Sequence, residues 1–404
     1  MSERRRILHI AWTFGGSQEG ISRAVTELAR LQASAAEVTV LCARSGAPPR
    51  GVRVEIVRIG SVLRRFPFAL AFALASRAAA MRLGPFDLIH AHVPTLAPTD
   101  VMTVHLFPPR RLVRLTRDTL RRTGHPVPPV VARRFRSVAL LDRTYRLGLG
   151  RAGRVVAVSG RLADTLVQDF GLDRSRMAVV PPGIIRPPAQ VPAVPRPRGA
   201  PRVMLFVGHQ FVTKGLGSVI DAMAQLGDAS PHLVVVGEGS EGSYDAMRVH
   251  AARRGVAAKI RFDGLQASIW GHLRMADAMI YPSFFDTFGL AVGEALADGC
   301  PVIATRAAGI ADVLPASPAL RLVERAEDVD GLCAAIRDMP VRRDVEDAAR
   351  AAVAPLTWEA HARATEAVYA ALPGSAAGRT GCPVRWPAIP ATNRSTRVGG
   401  GSWP

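Results

Sequence analysis

Only two lysines, Lys214 and Lys259, stand among fifty arginines in this 404-residue chain, so a lysine is not part of its chemical background. Lys214 follows the apolar run Val203–Val207 and a loop opened by Gly208, and it precedes a helical pattern opened by Gly215. A cation there lies at the carboxyl end of a parallel strand, where open α/β sheets bind ligands. The alternative is a plain surface lysine on a loop. A second string, Tyr281-Pro-Ser-Phe-Phe-Asp286-Thr-Phe-Gly289-Leu-Ala-Val-Gly-Glu294, reads as a buried strand running through a loop into a helix that starts near Phe288–Leu290. Backbone N–H groups at such a start, reinforced by the helix dipole, suit a diphosphate. Glu294, on that helix, can accept hydrogen bonds from a ribose diol. Asp286, on the loop, can do the same for sugar hydroxyls. Either carboxylate alone could be merely solvated; the whole string is poorly explained that way.

Other chemistry-bearing residues read more plainly. His90 and His92 flank a strand end and suit core or cleft-lining positions better than catalytic ones. Asp328-Val-Asp330 has the form of a D-x-D metal motif but lies at a helix start, where capping is the better reading. Cys42, Cys300, Cys333 and Cys382 are scattered, with no C-x-x-C pair. They read as reduced thiols of a cytoplasmic protein, neither a zinc site nor a disulfide frame. No metal is expected.

The elements that must position these groups alternate. In the first half, Ile7–Trp12, Val38–Cys42, Asp87–Ala91, Val101–His105 and Arg154–Val158 read as buried strands. Between the first two, Ile21, Ala24, Val25, Leu28 and Leu31 recur at helical spacing. A helix is expected over Phe66–Met81. In the second half Val203–Val207, Leu233–Val236, Ile260–Phe262, Ala278–Tyr281 and Val302–Ala304 repeat the logic. Continuous apolar strands separated by helices imply parallel sheets covered on both faces, hence an α/β protein with two Rossmann-like domains facing across a cleft. The expected divisions are an N-terminal domain over 1–182, a proline-rich linker over 183–201 and a C-terminal domain over 202–354. A helix over 355–372 carries Trp358, Ala362, Thr365 and Tyr369 on one side, and a patternless tail over 373–404 is expected to be disordered.

Charge divides the chain. Residues 1–200 hold 32 arginines and 12 acidic residues, whereas 201–404 hold 20 basic and 21 acidic ones. Eleven arginines fall between Arg110 and Arg146. Such a half attracts anionic surfaces, unless the arginines only reflect base composition. Nucleic acid is the weaker partner, because aromatics are sparse there and no zinc-finger or RRM-type pattern occurs. An anionic membrane surface is the alternative, with Phe66–Leu74 as a nearby apolar run. The apolar stretch Phe66–Ser76 is shorter than the ~20 residues a spanning helix needs, so the expected place is the cytoplasm, possible membrane attachment being peripheral.

The motifs taken together resemble the family-4 retaining glycosyltransferases of the GT-B fold. The residues are Gly208 with Lys214-Gly215, Val236-Gly-Glu-Gly239, Pro282-Ser283, Asp286-x-Phe-Gly289, Glu294-Ala and Gly299-x-Pro301-Val302. Upstream, Phe14-Gly-Gly16, Asp87-Leu-Ile-His-Ala-His92, Thr103-Val-His105, Ala157-Val-Ser159 and Val180-Pro-Pro-Gly183 continue the likeness, which covers roughly 6–372. The resemblance implies a nucleotide-diphospho-sugar co-substrate, UDP- or GDP-linked, held mostly by the C-terminal domain, with an unidentified acceptor on the N-terminal one. A lipid-linked acceptor or a cell-envelope glycan precursor would fit. It further implies that Lys214 pairs with the leaving diphosphate. The amides of Phe288, Gly289 and Leu290, with the Gly15-Gly16 loop, would cradle its oxygens, near Gly208 and His209. Glu294 would hold the ribose, Asp286 the donor sugar, and His105 would face the sugar near its anomeric carbon. No metal or other cofactor is implied.

Three positions depart from the family pattern. His209 replaces an arginine, and a neutral imidazole cannot supply a bidentate charged fork. Asp286 replaces a glutamate and is about one methylene shorter. Pro182 replaces an asparagine before Gly183. These departures imply altered specificity, and they keep open a degenerate binding or scaffold protein. Within enzymes, a nucleotide-sugar epimerase or a phosphorylase is the alternative, although a phosphorylase needs a late cofactor lysine and none follows Lys259. A small-molecule natural-product acceptor is the alternative to a lipid.

Overall fold

The structure, a computed structural model, describes residues 4–15, 20–59, 68–125, 129–239 and 243–372. The first half contains β1 (Arg6–Ile10), β2 (Thr13–Phe14), α1 (Gly20–Gln32), β3 (Glu37–Cys42), β4 (Arg44–Ser45) and β5 (Val52–Ile56). It continues through α2 (Phe68–Arg82), β6 (Leu88–Ala91), β7 (Val101–Val104), α3 (Pro109–Arg122) and α4 (Pro129–Arg151). It closes with β8 (Arg154–Ala157), α5 (Gly160–Phe170) and β9 (Met177–Val179). Seven of these strands form one parallel sheet in the order β5-β3-β1-β6-β7-β8-β9, and β2 pairs with β4 beside it.

The second half runs β10 (Val203–Val207), α6 (Leu216–Leu226), β11 (His232–Val236), α7 (Ser243–Arg253), β12 (Ile260–Gly264) and α8 (Trp270–Met275). Then come β13 (Ala278–Tyr281), α9 (Leu290–Ala297), β14 (Val302–Thr305), β15 (Leu320–Val323), α10 (Val329–Arg337), α11 (Arg342–Val353) and α12 (Trp358–Ala370). Its six strands form a second parallel sheet, β12-β11-β10-β13-β14-β15. The molecule thus has two Rossmann-like units, as the strand and helix alternation implies.

Strands buried on both faces explain the continuous apolar runs: every residue of β7, β13 and β14 is buried. The strands missing from the sequence reading are the two-residue β2 and β4 and, in the main sheets, β5, β9 and β15, which all lie at sheet edges. They are short, half-exposed and in part charged, so their apolar pattern is weak. The helix expected over Phe66–Met81 begins its described part at Phe68 and ends at Arg82; residues 66 and 67 lie outside the described residues. Helix ends use local caps. Ser159 Oγ accepts from the Leu162 N–H to start α5, and Gly171, at φ +66°, ends it.

Two features of this topology place the site. In each sheet the strand order reverses beside the first strand of the unit, between β1 and β6 and between β10 and β13, which is where open parallel sheets leave a crevice. The loops after β10 and β13 carry Lys214 and Asp286, and those after β2 and β7 carry Gly15 and His105. The second feature is α12, which leaves the C-terminal half and packs on the N-terminal sheet beside α1. Tyr369 there is fully buried, and its hydroxyl bonds His90 Nδ1 at 2.6 Å. Residues 181–201 carry no helix or strand, but the segment is pinned. The Ile184 N–H donates to Leu356 O, and a Cβ on Gly183 would lie 2.5 Å from the Trp358 nitrogen.

Candidate functional site

The loops after β10 and β13 are locked together at one point. Gly215 has φ +81°, and a Cβ there would fall 2.0 Å from the Pro282 carbonyl oxygen. Only glycine satisfies both the left-handed conformation and that approach. The contact brings Lys214 Nζ to 2.5 Å from Asp286 Oδ2 and 2.7 Å from the Tyr281 hydroxyl, which itself donates to Asp286 at 2.5 Å. Burial alone would push the Asp286 carboxyl up; the Lys214 charge and the hydrogen bonds hold it below its ordinary value. Burial likewise works against the Lys214 ammonium, but Asp286 raises its pKa above the usual lysine range. The Tyr281 hydroxyl is pushed up by burial and by the Asp286 charge. Before any ligand arrives, Lys214 is therefore charged and already partnered.

At the start of α9 the backbone amides divide. The Phe288 N–H, expected to face a diphosphate, donates to Asp286 Oδ1 at 3.1 Å and so helps to orient that carboxylate. The N–H groups of Gly289 and Leu290 have no hydrogen-bond partner among the described residues, and they keep the anion-binding geometry of a helix start. Gly289 caps the helix at φ +98°. One turn further on, Glu294 is buried, and its Oε1 accepts from Arg23 Nη1 at 2.5 Å. Burial raises the Glu294 carboxyl above its ordinary value although Arg23 opposes this. Arg23 belongs to α1, in the other unit. The start of α1 lies against α9: a Cβ on Gly20 would sit 3.0 Å from Leu290 Cδ1. Two helix starts and two cations, Arg23 and Lys214, thus flank the crevice. Sequence reasoning missed Arg23, which lies among many arginines and carries no local signal.

On the N-terminal side, Gly15 packs against Ala47, whose oxygen would be 2.7 Å from an added Cβ. The Gly15 N–H donates to Thr26 Oγ1 at 3.1 Å, so this amide, expected to cradle phosphate, is already committed to α1. Gly16 lies outside the described residues. Gly208 adjoins the Lys214 side chain, and His209 is exposed on the same loop. His105 follows β7, is buried, and has its pKa lowered to about 3 by burial and by the nearby His361. Its Nε2 lies 3.2 Å from His92 Nδ1. His90 and His92 are core residues, as their strand position suggested, and both are held well below the usual histidine value by burial.

The two units touch across the crevice at several further points. Ser159 Oγ donates to Thr287 O at 2.7 Å, Arg161 pairs with Asp312, and Arg122 pairs with Glu327 at 2.9 Å. Phe107 meets Phe285 with ring centroids 6.2 Å apart.

This geometry can be set beside known proteins. Residues 19–185 match the family described as Glycosyltransferase Family 4, and residues 201–339 match Glycosyl transferases group 1. The chain belongs to the family-4, group 1 glycosyltransferases. Among relatives, it is 28% identical over 228 residues to the glycogen synthase of Mycobacterium tuberculosis, covering 54% of each chain. To the D-inositol 3-phosphate glycosyltransferase 2 of Catenulispora acidiphila it is 31% identical over 240 residues, 54% of this chain and 56% of that one. The chain spans about half the length of these curated relatives. Among solved structures, WaaG, a glycosyltransferase involved in lipopolysaccharide biosynthesis, superimposes with TM-score 0.67 at 18% identity over 91% of this chain and all of WaaG. Anabaena Alr3699/HepE, in complex with UDP and glucose, gives 0.64 at 17% over the same shares. These likenesses establish the GT-B fold.

Within this family member the remaining candidates take structural roles. Asp328 caps α10 by accepting the Gly331 N–H at 2.9 Å, and Asp330 accepts from Gln225 Nε2. Cys42, Cys300 and Cys333 are buried free thiols; Cys382 lies outside the described residues. The basic stretch forms α3 and α4. Arg111 makes two hydrogen bonds to Asp169, at 2.9 and 2.8 Å, and Arg146 lies over the Phe170 ring, so part of this charge is structural. Arg110, Arg114, Arg121 and Arg143 are exposed. The apolar run on α2 is divided: Phe72 is fully buried, whereas Phe68 is 49% and Leu74 38% exposed. No helix among the described residues is long and apolar enough to cross a membrane.

Proposed function

We propose that the protein transfers a sugar from a nucleotide-diphospho-sugar to a hydroxyl acceptor with retention at the anomeric carbon. The observation that carries this reading is the convergence of Lys214, Arg23 and the unpartnered Gly289 and Leu290 amides on one crevice, with Glu294 one turn behind. A diphosphate entering there exchanges for Asp286 as the partner of Lys214, and a ribose diol exchanges for Arg23 at Glu294. Asp286, released from the lysine, then turns to sugar hydroxyls. As the bond from sugar to phosphate loosens, charge grows on the leaving oxygen, where fixed donors are most effective. The leaving phosphate takes the acceptor proton, so no protein nucleophile is required. UDP-sugars are the first donors to try, since HepE was solved with UDP and glucose. Calorimetry with UDP and GDP, followed by a panel of nucleotide sugars assayed for slow hydrolysis without acceptor, tests the proposal. Tight nucleotide binding with no turnover of any donor would make the chain a binding module instead.

The acceptor side is read from charge. Exposed Arg110, Arg114 and Arg121 on α3, with exposed Leu140 and Leu147 on α4, favour a cytoplasmic protein docked peripherally on an anionic membrane and a lipid-linked acceptor. Vesicles containing anionic lipid should sediment the protein, neutral ones should not, and rising salt should release it. Arg114→Glu with Arg121→Glu should weaken that association and leave nucleotide affinity intact. Equal partition to both vesicle types would favour a small-molecule acceptor.

A further inference from the structure

Behind His105 runs a buried hydrogen-bonded chain whose direction can be worked out from one end. Glu366, on α12, has two carboxylate oxygens: Oε1 lies 2.6 Å from Gln32 Nε2, and Oε2 lies 3.4 Å from Arg5 Nη1. Burial raises the Glu366 carboxyl, while the Gln32 hydrogen bond and the Arg5 charge oppose this and favour the ionised form. A carboxylate only accepts, so the Gln32 amide turns its NH2 towards Glu366 and its oxygen the other way. That oxygen, Oε1, lies 2.8 Å from His9 Nε2, which must therefore carry a proton. Burial holds the His9 pKa at about 4, so the ring is neutral and its Nδ1 is bare. His9 Nδ1 sits 3.0 Å from His92 Nε2, which then donates. His92 Nδ1, bare in turn, sits 3.2 Å from His105 Nε2, which donates as well. A branch agrees. Gln32 Nε2 also points at the Tyr369 hydroxyl, which donates to His90 Nδ1 at 2.6 Å, and His90 Nε2 donates to Thr103 Oγ1 at 2.7 Å. The last atom of the chain, His105 Nδ1, has no hydrogen-bond partner among the described residues. It lies just past the carboxyl end of β7, two residues before Phe107, which touches the opposite unit.

We infer that Gln32 and Glu366 set the proton positions on His105 through His9 and His92, so that His105 faces the cleft as a neutral acceptor and takes a ligand hydroxyl rather than an anionic group. A hydroxyl can donate to the bare Nδ1. A carboxylate or phosphate oxygen brought to the same place sets lone pair against lone pair, and the ring has no proton free to offer. Lys214, Arg23 and the α9 amides draw the anionic end of the ligand, and His105 is kept from competing for it. The hydroxyl is assigned to the donor sugar, which rests on the transferase reading; the proton positions do not. A metal ion is the competing occupant, because His9, His90 and His92 offer nitrogens within 4.8 Å of one another. All six of those ring nitrogens are already engaged in the bonds just described, so an ion would have to displace a closed set of them.

Long-range nitrogen–proton NMR on the full chain labelled at histidine reads each ring directly, with His105→Asn assigning the His105 signals. At neutral pH His9, His90, His92 and His105 should each show a protonated Nε2 and a bare Nδ1. Gln32→Lys puts a donor where Oε1 stood, and it should reverse the chain so that the His105 proton moves to Nδ1. The milder Glu366→Gln frees the amide to turn and should give mixed forms on His105 in a chain that stays folded. UDP-glucose should shift the His105 Nδ1 signal, whereas UDP alone should not. A proton on His105 Nδ1 in the unaltered protein would overturn the inference. So would a single unchanged form in Glu366→Gln, or stoichiometric zinc uptake that moves the His9, His90 and His92 signals together. Failure of UDP-glucose to bind, with the proton positions as stated, would count against the transferase reading alone.

Discussion

On the C-terminal side of the cleft, polar groups are held as charges: Lys214 on Asp286, and Glu294 on Arg23. On the N-terminal side they are held neutral, in the chain of Gln32, His9, His92 and His105. The two arrangements respond differently to a ligand. An ion pair at the edge of a crevice can change partners when a diphosphate arrives, because the phosphate charge replaces the carboxylate at the cation while sugar and ribose hydroxyls donate to the released carboxylates. A saturated neutral network has no such exchange available. It holds its members in place and fixes which of them donate. One side of the cleft thus holds paired charges and the other holds neutral rings in fixed orientation.

Acidification should separate the two sides most. His9 and His105 have folded pKa values of about 4 and about 3 against an ordinary value of 6.5. Between pH 6.5 and about 4 the unfolded chain binds protons that the folded chain refuses, so stability is full above pH 6.5 and falls as pH falls. The slope should be about 1.4 kcal/mol per pH unit for each such histidine. Denaturant midpoints that stay flat across this window would sink the neutral network. Next in size, Lys214→Ala should lower kcat for donor turnover by about 10²–10³-fold, as loss of a donor to developing charge does. Steady-state kinetics in which only KM changed would leave Lys214 a ground-state binder.

Glu294→Ala should weaken nucleotide binding by about 1.5–3 kcal/mol, the range for a hydrogen bond to a charged group. Undiminished affinity by calorimetry would remove the ribose role. Arg23→Ala sharpens this test. Losing the guanidinium lets burial raise the Glu294 carboxyl further, so nucleotide affinity in the variant should begin to fall at a higher pH than in the parent protein. The smallest effect is expected at Tyr369→Phe, which leaves His90 Nδ1 without its donor. It should cost about 1–3 kcal/mol of stability and leave nucleotide affinity unchanged. A loss of affinity there would mean that the neutral network and the charged site are coupled.

The sequence by itself determined the two parallel sheets and the loops of the charged site. Their signals are local: apolar strands of four or five residues, a rare lysine after one of them, and a continuous string from Tyr281 to Glu294. Capping by Asp328 was legible for the same reason, since its partner is three residues away. Tertiary structure alone decided the pairing of Arg23 with Glu294, 271 residues apart, and of His90 with Tyr369, 279 apart. It also decided that the Phe288 and Gly15 amides donate to Asp286 and Thr26. The docking of α12 on the other unit, which brings Glu366 to Gln32, has no pattern along the chain to announce it. Periodicity records which face of an element is buried, but the partner of a buried polar atom depends on which strands and helices come together.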